Sequence, residues 1–87
     1  MRIEFSDEFH KQYRKAPPKI QNAVDKRVAL FAQEPFYPLL NNHLLKGRYQ
    51  GKRSINITGD WRAVFREFNN YQLVIFETLG THSQLYK

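Results

Sequence analysis

The chain contains no cysteine, so neither a disulfide framework nor a thiolate metal site is available to it. No apolar run approaches the roughly 20 residues of a membrane span, and no signal-peptide pattern opens the chain. A cytoplasmic protein with no membrane association is the expectation. HExxH, P-loop and Gly-x-Ser-x-Gly motifs are all missing. Acids are scarce, eight against 14 lysines and arginines, and they show no close cluster of the two-metal kind. No cofactor and no metal are therefore expected. Repeats, low-complexity segments and linkers are absent too, which leaves residues 1–87 as a single expected domain. A chain of this size buries only roughly 60% of its unfolded surface, but a hydrophobic fraction of 41% supports a packed core.

What is present centres on Gly51 to Phe65, GKRSINITGDWRAVF. Apolar and polar residues alternate with period two on both sides of Thr58-Gly59-Asp60, the pattern of a β-hairpin. A three-residue turn sets Ile57 opposite Trp61, Ile55 opposite Ala63 and Asn56 opposite Arg62. Ile55, Ile57, Trp61, Ala63 and Phe65 then share a packed face. Lys52, Ser54, Asn56, Arg62 and Arg66 share the other, with Val64 its one apolar exception.

Charge is concentrated in the same region. Residues 1–36 hold seven basic and five acidic side chains. Residues 43–66 hold Lys46, Arg48, Lys52, Arg53, Arg62 and Arg66 against Asp60 alone. Clustered positive charge of this kind is the footprint of a polyanion-binding surface, with a merely solubilising face as the bland alternative.

The first half reads as scaffold. Arg2 to Phe5 suits a strand with Ile3 and Phe5 on one face. Ser6 followed by Asp7 and Glu8 is a helix start. Phe9, Tyr13 and Ala16 fall on one stripe of helix 1, which Pro17-Pro18 ends. Pro18 suits the first position of a second helix running to Gln33, with Ile20, Val24, Val28 and Phe31 on its buried stripe. Pro35 and Pro38 bracket a loop, and His43 to Gly51 is irregular. Asn69-Asn70 marks a turn before a strand from Tyr71 to Thr78, apolar on both faces. Gly80 is expected to break that strand and leave Thr81 to Lys87 as a short docked tail.

Of the three histidines, His10 lies mid-helix and is given no role. His43 and His82 flank the sheet, where functional side chains collect, although each taken singly reads more readily as structural than as catalytic. Trp61 has two readings, a core side chain by parity or a stacking surface beside the turn. A reaction that needs neither metal nor cofactor fits this inventory, and RNA cleavage is one. The 2′-hydroxyl is the nucleophile, and the protein supplies a base, an acid and cations for the pentavalent phosphate.

From His43 onward the chain resembles the RelE/ParE superfamily of bacterial type II toxins, and within it the YafQ-like branch. The matching pieces are His43-Leu44-Leu45-Lys46-Gly47, Gly51-Lys52-Arg53, Asp60-Trp61, Gly80-Thr81-His82 and Leu85-Tyr86. The resemblance implies an α+β, RelE-like fold: an N-terminal strand and helical hairpin packed on a mainly antiparallel sheet. It also implies an mRNA endoribonuclease, acting on free or ribosome-bound message and restrained by a cognate acidic antitoxin. His43, His82, Asp60 and Tyr86 match catalytic positions of the YafQ-like toxins, and Arg62 looks like the arginine that meets the scissile phosphate in RelE. Arg53 is then expected to hold the phosphate with Arg62, Lys46, Arg48 and Lys52 to line the flanking RNA backbone, and Asn56 and Trp61 to meet the RNA beside them. Two positions depart from the branch: Asn56 replaces a histidine and Thr78 an arginine. A ParE-like topoisomerase poison and a noncatalytic nucleic-acid-binding module are the alternative readings.

Overall fold

The computed structural model describes residues 1–86. β1 (Arg2–Phe5) leads into α1 (Asp7–Lys15) and α2 (Pro18–Gln33), followed by β2 (His43–Leu44), β3 (Arg53–Asn56), β4 (Trp61–Phe68), β5 (Leu73–Thr81) and α3 (His82–Leu85). The strands form one sheet in the order β1-β5-β4-β3-β2, with β1 parallel to β5 and every other pair antiparallel. This is the expected α+β arrangement.

Local chemistry sets the helix boundaries. Ser6 Oγ accepts from the Phe9 amide at 3.0 Å and donates to the Glu77 carbonyl at 2.8 Å, so the residue that caps α1 also pins it to β5. The proline pair ends α1 and starts α2, with Pro18 in the first turn. A clip holds the two helices together, since Tyr13 donates its hydroxyl to Asp25 Oδ1 at 2.8 Å. That bond to a carboxylate, with a smaller contribution from burial, raises the Tyr13 pKa above its ordinary value.

One face of the sheet is covered by these helices. Phe9, Ile20, Val24 and Phe31 pack on Ile55, Ile57, Ala63, Phe65, Val74 and Phe76 in a single core. Phe31 sits at its centre, 5.0 Å from the Phe65 ring and 5.4 Å from that of Phe76. A smaller cluster of Leu45, Val64 and Leu85, edged by Tyr49 and Tyr86, lies apart from this core. It explains why Val64 breaks the polar parity of its strand.

Three expectations need correction. His43-Leu44 is an edge strand paired with Arg53 and Ser54, rather than irregular chain. Gly80 does not break β5 but lies within it, opposite Arg62, and the strand runs on to Thr81. The residues after it form α3, closed by a capping box in which Thr81 and Gln84 satisfy each other's amides. Leu85 is buried, so this segment docks as expected, while Lys87 lies outside the described residues. Among the described residues no helix is long and apolar enough to cross a membrane.

Candidate active site

The hairpin register is as read from the alternation: Ile55 pairs with Ala63 and Asn56 with Arg62, and the Ile57 amide donates to the Trp61 carbonyl at 2.9 Å. Side chains opposite one another share a face. On the face away from the helix-covered core the register aligns two adjacent rows, Asn56–Arg62–Gly80 and His43–Ser54–Val64–Thr78, the second ending where Thr78 donates its hydroxyl to Glu8 Oε2 of α1 at 2.8 Å.

At the end of this face the β3–β4 turn meets α3. The His82 amide donates to the Asp60 carbonyl at 2.8 Å, which fastens the start of α3 to the turn. The His82 ring is exposed and stands edge-on to the Tyr86 ring at 4.8 Å, and Tyr86 in turn meets Tyr49 at 5.8 Å. Arg62 folds over the turn, its Nη1 donating to the carbonyls of Thr58, Gly59 and Trp61 at 3.0–3.1 Å. Its Nε and Nη2 have no protein partner among the described residues, and neither has the exposed Asp60 carboxylate. One imidazole, one carboxylate, one guanidinium and one phenol thus gather at one corner.

His43, on β2, lies on the same face but is separated from β5 by β4 and β3 and sits one row along. Its Nδ1 is 2.9 Å from the Asn41 carbonyl. A carbonyl only accepts, so Nδ1 carries the proton, and in the neutral ring Nε2 is left as an acceptor facing outward. Ser54 Oγ, Asn56 Oδ1 and the Tyr86 hydroxyl are buried without a hydrogen-bond partner among the described residues. Asn56 has no group that exchanges protons near neutrality, so the proton-transfer candidates of the corner are His82, Asp60 and Tyr86, with His43 beyond them.

The basic residues do not form one surface. Lys46 is exposed. Arg48 donates from Nη2 to the Leu85 carbonyl at 3.1 Å and lies over the Tyr49 ring, which ties it to α3. Lys52 and Arg66 both pair with Glu77, at 2.7 and 3.1 Å. Arg53 departs furthest from expectation. It has the parity of Ile55, stacks over Phe36 and donates to Asn42 Oδ1 at 2.8 Å, on the other side of the sheet from Arg62. Trp61 follows parity as well. It packs half-buried against the principal core, and it lines an open cleft of about 620 Å³ with Gln12, Lys15, Arg48 and Gln84. Glu77 was overlooked at the level of sequence because it lies on β5, outside the basic stretch. Among the described residues no three histidine, aspartate or glutamate side chains converge as a metal site.

Two helices on one face of a β1-β5-β4-β3-β2 sheet, with a short terminal helix at the end of β5, define a RelE-like toxin fold. YafQ from E. coli strain BL21(DE3) superposes with a TM-score of 0.77 at 24% identity, over 100% of both chains. The E. coli DinJ–YafQ toxin–antitoxin complex contains a chain matching at 0.74 and 25% identity, over 98% of this chain and 96% of that one. The RelBE2 toxin–antitoxin complex of Mycobacterium tuberculosis gives 0.76 at 20% identity, over 93% and 96%. Comparison with curated protein sequences returned no match. Residues 1–87 match the family described as bacterial toxin of type II toxin–antitoxin system, YafQ, and the chain belongs to that family.

Proposed function

We propose that the chain acts as one toxin domain that cleaves mRNA without a metal ion and is held in check by a cognate acidic antitoxin. The observation that carries this reading is the corner where α3 meets the β3–β4 turn. There His82 and Tyr86 stand ring to ring, and the His82 amide is bonded to Asp60, two residues before Arg62. RNA brings its own nucleophile, so these groups suffice. A base removes the 2′-hydroxyl proton and the oxygen attacks the adjacent phosphorus. Arg62 steadies the charge gathering on the phosphoryl oxygens, and an acid protonates the departing 5′-oxygen. His82 is the proposed proton carrier, since a neutral imidazole accepts a proton at one ring nitrogen and donates from the other. Asp60, Tyr86 and His43 are its proposed partners. An acidic partner suits the net charge of +6, and the solved DinJ–YafQ and RelBE2 structures are themselves toxin–antitoxin complexes.

The test is the chemistry of the new ends. Purified protein incubated with mRNA, with and without ribosomes and in the presence of EDTA, should produce 2′,3′-cyclic phosphate or 3′-phosphate termini and 5′-hydroxyls. Cleavage abolished by EDTA, or 3′-hydroxyl ends, contradicts the mechanism. Inhibition of a topoisomerase with RNA left intact would instead support the ParE-like alternative.

A further inference from the structure

Glu77 stands among the cations of the open face, and backbone geometry puts it there. Val64 pairs with Thr78 and Phe65 with Phe76, so Glu77 is the extra residue of a bulge and faces no residue of β4. From the outer side the Ser6 hydroxyl bonds its carbonyl at 2.8 Å and fixes the bulge. The Glu77 carboxylate is then held between two cations, with Oε1 2.7 Å from Lys52 Nζ and Oε2 3.1 Å from Arg66 Nε. The Lys52 and Glu77 side chains are only 22% and 24% exposed. Solvent and salt screen such a pair less than one on the open surface. Lys52 also lies 5.9 Å from the centre of the Tyr49 ring, the ring that meets Tyr86.

Two cations, Lys52 just ahead of β3 and Arg66 on β4, thus converge on the two oxygens of a single monoanion. A phosphodiester offers the same charge on the same number of non-bridging oxygens. We propose that Lys52 and Arg66 form a phosphodiester site for the RNA strand, further along the open face from Arg62, and that Glu77 occupies it as an internal competitor in the free protein. The inference rests on the ribonuclease reading above and adds to it a backbone subsite and the residue that limits it. RNA entering here exchanges one anion for another. The wild-type site therefore yields little of the counterion release that drives phosphate binding.

Binding of a short single-stranded 2′-O-methyl RNA, which lacks the nucleophile and cannot be cut, separates affinity from catalysis. With Lys46, Arg48 and Arg62 left for phosphate, wild-type log K should fall by about 2 per tenfold rise in salt, from about 0.7 per contact on a single strand. Glu77→Gln should steepen this to about 3 and tighten binding about fivefold at 0.1 M salt, the value of one more contact. Lys52→Gln should cost about fivefold in the Glu77→Gln background and almost nothing in the wild type. Unchanged affinity and slope in Glu77→Gln overturn the proposal. So does a fivefold loss from Lys52→Gln alone, which needs no folded Glu77 variant. Tightened binding without any cleavage of ordinary RNA leaves the subsite standing and removes the ribonuclease reading. Cleavage without tightening does the reverse, and no binding by either protein removes both.

Discussion

Ser54 is fully buried, and its hydroxyl has no hydrogen-bond partner among the described residues. A buried hydroxyl that has lost water and gained nothing costs free energy. Ser54→Ala should therefore leave stability unchanged or raise it by up to about 1 kcal/mol, as measured by urea unfolding. A loss of more than about 1 kcal/mol means that the oxygen has a partner after all. Asn56 Oδ1 and the Tyr86 hydroxyl are in the same position, which makes the ground beneath the corner less stable than an apolar packing would be. For single residues, parity was a sound guide. It puts Arg53 with Ile55 and Trp61 with Ala63, on the helix-covered face, although residue type alone suggested two RNA contacts. The ion pairs of Glu77 could not be read this way, because they need the register between β4 and β5 and the bulge that interrupts it.

At the scale of elements, α3 positions the site and cannot stand by itself, since four residues are too few for an isolated helix. Four contacts hold it: its capping box, the His82 amide on the Asp60 carbonyl, Arg48 on the Leu85 carbonyl, and Leu85 packed on Val64 and Leu45. Gly80 makes room beneath it. A Cβ at that position would lie 3.0 Å from Gln84 Oε1 and 3.3 Å from Leu85 Cδ2. Gln84 Oε1 is the acceptor of the Thr81 amide in the capping box, at 2.8 Å. Gly80→Ala should push that cap aside, cost about 1–2 kcal/mol, and lower cleavage by more than the lost stability explains, because His82 moves with α3. Full activity in a stable Gly80→Ala protein contradicts the positioning role of this helix. Elements defined by local chemistry were legible in the sequence: the Ser6 cap, the proline pair, the hairpin with its three-residue turn. Gly80 was misread because a glycine that breaks a strand and one that admits a helix against it look the same in one dimension. α3 was missed as a helix because its capping box has no long apolar repeat behind it.

For the whole molecule, the net charge of +6 is less one-sided than its clustering in sequence suggests. The sheet sends Arg53 to one face, Glu77 pairs with two cations on the other, and Arg48 spends one guanidinium nitrogen on α3. The fold brings together what the chain separates: the His82 amide meets the Asp60 carbonyl because β5 returns beside β4, with Thr81 opposite Trp61 and Gly80 opposite Arg62. The central claim is that this corner performs proton transfer on RNA and that His82 is the group that moves the proton. General acid–base catalysis by one side chain is worth roughly 10²–10⁴-fold. The most direct measurement is single-turnover cleavage of mRNA by His82→Gln beside wild type, with melting temperature and affinity for uncleavable RNA determined on the same preparations. The predicted result is a rate lower by at least about 10²-fold, with stability and affinity close to wild type, since the ring is exposed and its one aromatic partner remains. A stable His82→Gln protein that cuts at near wild-type rate contradicts the account.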